Sequence, residues 1–278
     1  MTSNSITVFS HRDTSIASHT IANKLPRPYS STNDRLGLRS LSMPYSWFNV
    51  TNTFGNAAGL SYVWTDEVTY RVPFVPGNYS VERITGFLQE KMKSNGHYLL
   101  DPDGDPVFYL HLNVNNIYYA VTVTSTPIPA TLPISWKNPA AVVLNGKAPQ
   151  LIIHPAPNTF GALIGYRPGT YPAMQGTTAT AFNSQDAPVI SPVTVVNVTC
   201  NWTYESRFNS HPSLLASFTP MTEFGTTLSY EPSVIVTLPV TQYQWSEIEL
   251  GFFDQDFRPL ALNDLQQIQC NLILEHYD

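Results

Sequence analysis

The feature that most constrains this chain is an alternation of apolar and polar side chains with a period of two. In the C-terminal segment Ile268, Cys270, Leu272 and Leu274 alternate with Gln267, Gln269, Asn271, Ile273 and Glu275. Successive side chains of a strand point to opposite faces, so this pattern predicts a half-buried strand. The alternation recurs at Val68, Tyr70, Val72 and Phe74, at Ile117, Tyr119, Val121 and Val123, and at Ile248, Leu250 and Phe252. Leu36 and Leu38 followed by Leu41 and Met43 keep the period only if one residue bulges between the pairs. Further strands are expected at Val107–Val114 and Ile117–Thr124, paired around Asn115-Asn116, and at Val193–Trp202, Leu214–Phe218 and Val234–Leu238.

One segment breaks this rule. Val81, Ile84, Phe87, Leu88 and Met92 share a face at helical spacing. Ser80 is placed to cap the start, Glu82, Lys91 and Lys93 suit the helix dipole, and Asn95-Gly96 closes the end. Many strands, long connections, 23 prolines and one short covering helix predict an all-β jelly-roll sandwich rather than a meander of tight hairpins.

Domain limits follow from composition. Residues 1–34 are rich in Ser, Thr and Asn and show no sustained periodicity, which predicts an extended N-terminal arm held by a neighbouring subunit. Residues 35–278 then form the jelly-roll body. Within it, residues 125–190 are rich in Pro, Gly, Ala and Thr, and are expected to be a loop-rich insertion. No apolar run approaches the ~18 residues of a membrane span, and Met1–Ser31 has no signal-peptide pattern. The sequons at Asn49, Asn78, Asn197 and Asn201 are therefore read as unglycosylated.

Charge narrows the function classes. Charged residues make up 12% of the chain, against about 25% in an average globular protein. A surface so poor in charge suits a protein that is covered in an assembly. The net charge of −6 argues against sequence-specific nucleic-acid binding, which needs clustered cations.

Catalytic and metal signatures are absent from the sequence. The seven histidines make no metal-ligand spacing, and no nucleophile elbow, P-loop or dinucleotide fingerprint occurs. Asp101-Pro-Asp-Gly-Asp105 looks like a calcium-loop fragment, but Pro106 and Leu112 stand where an EF-hand needs Gly and Glu. It reads as an acidic turn, with a loose Ca²⁺ site as the alternative. Asp254-Gln-Asp-Phe-Arg-Pro-Leu260 reads as a polar turn, or else as a glycosidase carboxylate pair. Glu247 and Glu249 read as a solvated strand face. Cys200 and Cys270 fall at apolar positions, either as two buried thiols or as a disulfide between facing sheets. No cofactor or metal is expected, and the chain is read as non-enzymatic. Its many Tyr and Trp residues suit protein–protein contact or stacking on sugar rings.

Several runs resemble the small capsid proteins of virophages and polinton-like viruses. They are Leu36-Gly-Leu-Arg-Ser-Leu-Ser-Met-Pro-Tyr-Ser-Trp-Phe-Asn-Val50, Pro76-Gly-Asn-Tyr-Ser80 with the helix after it, and Asn95-Gly-His-Tyr98. Tyr109 to Val121, Asp254 to Leu260 and Asp264 continue the likeness over about residues 36–276. The resemblance implies a penton or minor capsid protein, pentameric at an icosahedral vertex and bound to a double jelly-roll major capsid protein in the virion. Interface contacts are expected at Arg12, Lys24, Arg27, Tyr45, Trp47 and Phe48. The rival expectation is a glycan-binding spike or lectin-like module.

Overall fold

The computed structural model describes residues 2–9, 19–52, 54–204, 213–262 and 268–277. In chain order the elements are β1 (Thr2–Phe9), β2 (Thr20–Ser30), β3 (Asp34–Pro44), β4 (Leu60–Val63), β5 (Thr69–Val72), α1 (Val81–Ser94), β6 (Leu99–Leu100), β7 (Pro106–Val107), β8 (Leu110–Asn115) and β9 (Ala120–Ser125). They continue with β10 (Gln150–Ile153), α2 (Phe160–Leu163), β11 (Gly169–Tyr171), β12 (Thr180–Asn183), β13 (Val196–Cys200), β14 (Leu214–Phe218), β15 (Thr227–Tyr230), β16 (Thr237–Pro239), β17 (Gln244–Phe253) and β18 (Gln269–His276). The described residues are all-β apart from two helices. The chain divides into two compact units, one of residues 1–47 with 193–278 and one of residues 48–192.

The first unit is a jelly-roll sandwich. One sheet has the order β1-β18-β3-β15, with β16 also on β3, and the other has the order β14-β13-β17-β2. Setting β16 aside, the pairs nest: β1 with β18, β2 with β17, β3 with β15 and β13 with β14, all antiparallel. First strand with last, second with second-last and so on inward is one long ribbon folded back on itself and rolled into two sheets. The inward faces are those the alternation predicts. Ile248, Leu250, Phe252, Cys270, Leu272 and Leu274 are all buried.

The bulge in β3 is present. Leu38 faces Leu272 and Ser40 faces Asn271, so Arg39 is the extra residue where the register shifts. That shift lets Leu36, Leu38, Leu41 and Met43 all point inward, and all four are buried.

Residues 1–34 depart from the expected extended arm held by a neighbouring subunit: the described strands of this segment are instead part of the first unit's own sheets. β1, rich in Ser and Thr, and β2, which carries Pro26 and Pro28, are both sheet members of that unit. The reason is that an edge strand needs only a few inward apolar groups, here Val8 and Ile21, once the backbone ladder supplies its hydrogen bonds. The expected boundary of an insertion moves as well. The whole of 48–192, and not only 125–190, forms the second unit, between β3 and β13.

That second unit carries sheets of order β11-β10-β4-β5 and β12-β9-β8, with a β6-β7 pair. Helix α1 packs on β8, where the Thr85 hydroxyl donates to the Leu112 carbonyl at 2.5 Å. Its caps are as the sequence predicts: the Arg83 amide donates to Ser80 Oγ at 3.3 Å, and Asn95 is the C-cap. Val81, Ile84, Leu88 and Met92 bury the helix's apolar face, with Phe87 partly buried beside it. A second helix, the single turn α2, was not expected. One turn is too short for a period to show, and it begins where the Phe160 amide donates to Asn158 Oδ1 at 2.9 Å.

Candidate interaction surfaces

The polar clusters resolve mainly into structure. Asp101 Oδ1 accepts the amides of Asp103 and Asp105 at 3.0 and 2.9 Å, the geometry of an Asx turn. Among the described residues no group of three His, Cys, Asp or Glu side chains is placed to hold a metal ion. Asp254 is buried after β17, with Oδ1 taking the amides of Asp256 and Arg258 at 2.8 Å and Oδ2 taking Arg258 Nε at 2.8 Å. A carboxylate so fully engaged holds a turn together. Cys200 and Cys270 are free, buried thiols on opposite sheets of the first unit.

One pair has the look of a nucleophile and its base. Ser61 Oγ lies 2.7 Å from His154 Nε2. Ser61 is completely buried on β4, however, so its hydroxyl fixes the imidazole and is closed to a substrate. His154 also borders two shallow clefts of about 370 and 430 Å³, the second lined by Arg71, Pro155 and Pro157.

Two sequon asparagines are structural. Asn49 Nδ2 donates to the carbonyls of Tyr79 and Ile190 at 2.9 and 2.8 Å, and its Oδ1 accepts the Tyr79 amide. Asn197 is buried and donates to the Asp254 carbonyl at 2.7 Å.

The surface offers sheet edges and apolar patches. In β1 the Phe9 amide and carbonyl both bond the Asn23 side chain. Phe9 therefore turns its backbone groups away from β18. By the two-residue period, those of Ser3, Ser5 and Thr7 face outward too. β1 itself carries no charge or proline, the residues that usually guard such an edge. The other long edge, β2, carries Lys24, Pro26, Arg27 and Pro28, residues that discourage strand addition. In the first unit Val234, Ile235 and Val236 form an exposed apolar run, and Tyr243 is exposed beside the half-buried Trp245, their rings 5.2 Å apart. In the second unit Ile117, Tyr118 and Tyr119 crown the β8–β9 hairpin.

The residues expected at an interface scatter. Lys24 and Arg27 are exposed on β2, with Lys24 opposite Glu247. Phe48 is exposed. Tyr45 and Trp47 are interior, their rings 4.3 Å apart, and Phe224 stands edge-on to Tyr45. Arg12 lies outside the described residues, as do Asp264 and two of the seven histidines, His11 and His211. The hairpin crown escaped sequence reading because Ile117 and Tyr119 sit in phase with Val121 and Val123, which are buried. The Asn115-Asn116 turn signal is the cue that could have separated them.

The sequence matches no protein-family model and no curated protein. Among solved structures, the fold is similar to the crystal structure of the selenomethionine-labelled mavirus penton protein. That alignment covers 98% of each chain at 11% identity, with a TM-score of 0.44.

Proposed function

We propose that this chain is a non-catalytic viral capsid subunit of the penton type, part of the virion shell. The observation that carries the reading is the nested strand pairing of the first unit, with residues 48–192 placed between its third and fourth strands. Jelly rolls recur in capsid subunits because a two-sheet wedge leaves edges and loop ends free for lateral packing. The fold alone does not fix a function, and lectins share it. Three further features support the shell reading: the low charge content, the open β1 edge and the exposed Val234–Val236 run. The motif resemblance at Leu36–Val50 and Pro76–Tyr98 adds to them. In this reading copies of the chain meet through unlike patches that close into a ring, with five-fold symmetry at a vertex, and the ring seats on a major capsid protein.

The test is the mass of the purified full-length chain in solution, followed by negative-stain imaging. A closed ring of five supports the proposal. A chain that stays monomeric both alone and with the major capsid protein of its virus overturns it.

The second reading, a glycan-binding module, draws on the exposed Tyr243 ring beside Trp245. Aromatic faces stack on sugar rings, and glycan-array binding abolished by Tyr243→Ala would favour it.

A further inference from the structure

The β8–β9 hairpin ends in a four-residue loop, because Asn115 is the last residue paired, opposite Ala120. Three consecutive loop residues are large and apolar or aromatic: Ile117 is 88% exposed, Tyr118 69% and Tyr119 73%. Val114 at the end of β8 is exposed too. Apolar area of this kind is normally buried, and three adjacent side chains held in water at one projecting turn call for an occupant.

The turn is built to hold them there. The Tyr118 amide donates to Asn115 Oδ1 at 3.4 Å, and Tyr119 has a left-handed backbone with φ of 48°. Beneath the crown lies an uncharged polar collar. Asn115 Nδ2 donates to Thr122 Oγ1 at 3.2 Å and to Asn183 Oδ1 at 3.3 Å, and Thr122 Oγ1 donates to the same Asn183 oxygen at 2.6 Å. These contacts tie together β8, β9 and β12, so the crown rides on a three-stranded sheet.

Charge is excluded from the whole hairpin. No Asp, Glu, Lys or Arg occurs between Asp105 and Lys137. Past β12, Asp186 is neutralised by Arg167 through two bonds of 3.0 and 2.9 Å.

We propose that the Ile117–Tyr119 crown inserts into the headgroup–acyl boundary of a lipid bilayer. Shape decides between lipid and protein. A stable protein interface needs about 800 Å² from each partner with matched relief, and a single four-residue turn falls well short of that. A bilayer needs no complementary relief, only apolar groups at a tip with no charge to desolvate. Tyrosine suits that depth, since its ring enters the apolar layer while its hydroxyl stays among the headgroups. With no cationic patch on the hairpin, attraction to anionic lipid contributes little. The inference rests on the hairpin alone and stands whether or not the chain is a vertex subunit.

The test is flotation of the full-length protein with phosphatidylcholine vesicles, and with vesicles also containing phosphatidylserine, at low and high salt. The expected result is co-flotation in every condition, with little effect of salt or phosphatidylserine. Ile117→Ser should lower partitioning about tenfold, and Ile117→Ser with Tyr118→Ser and Tyr119→Ser about a hundredfold or more. Val236→Ser, an exposed apolar change in the first unit, should leave it unchanged. Far-UV circular dichroism and melting check that each variant is folded. Failure of the wild type to float overturns the proposal, as does a folded triple variant that floats equally well. A triple variant that changes the protein's mass in solution makes the crown a protein contact and also overturns it.

Discussion

The imidazole of His97 lies flat against the indole of Trp64, their centroids 4.6 Å apart and their planes 10° from parallel. The Tyr62 hydroxyl completes the setting. It accepts from Asn95 Nδ2 at 2.7 Å and lies at hydrogen-bond distance, 2.8 Å, from His97 Nδ1. Burial among these rings pushes the His97 pKa down to about 4, although the charge of Asp66 acts in the opposite direction. An unfolded histidine takes its proton near pH 6.5. The second unit should therefore hold its full stability above about pH 6.5 and lose it progressively as the pH falls towards 4, by up to about 3 kcal/mol. Melting of residues 48–192 between pH 7 and 4 measures this slope. His97→Phe should flatten it, and an unchanged slope in that variant would rule His97 out as its source.

Asp254 should be costly to remove. Its buried carboxylate serves three donors at 2.8 Å, and Arg258 also reaches Asp256. Asp254→Ala leaves two turn amides and part of a guanidinium without that acceptor, a loss of about 2–4 kcal/mol. Denaturant unfolding of the first unit reads the loss. A midpoint equal to the wild type would show that the turn closes without the carboxylate.

The two thiols should be silent in the native protein. Burial pushes the Cys200 thiol up to about 12 and Cys270 higher still, which leaves almost no thiolate at neutral pH. A thiol reagent at pH 8 should label neither residue until denaturant is added, and then both. Rapid native labelling would contradict their burial.

Removing residues 1–34 should do more than detach a contact segment. The deletion takes β1 from β18 and β2 from β17, along with Val8 and Ile21 from the core. The truncated chain should lose cooperative unfolding of the first unit, seen by calorimetry, and accumulate as aggregate. Residues 48–192 expressed alone should fold, because their apolar cluster is their own. A truncated chain that melts like the full one would return residues 1–34 to the role of an accessory arm.

What the sequence disclosed depended on how strongly each segment was patterned. Helix α1 was legible to its caps, because five apolar residues, Ser80 and Asn95-Gly96 all agree. The β3 bulge was legible because Leu38 and Leu41 break a strict period of two. β1 and β2 were not, since edge strands are held largely by backbone pairing: β1 is rich in Ser and Thr, and β2 is interrupted by Pro26 and Pro28, so neither shows a sustained apolar period. Tyr45 and Trp47 were assigned to the surface on residue type alone. Their burial is set by Phe224 and other distant parts of the chain, which no local pattern reports. The Ser61–His154 pair spans 93 residues and was invisible for the same reason.

The nested pairing also sets a schedule. β1 is made well before its partner β18, with the whole of residues 48–192 between them in the chain. The roll therefore stays open until β18 has left the ribosome, and by then residues 48–192 have every strand and helix they need. The β1 edge and the Val234–Val236 run belong to the unit that closes after residues 48–192. The first unit thus presents those surfaces in register only once β18 has paired with both β1 and β3.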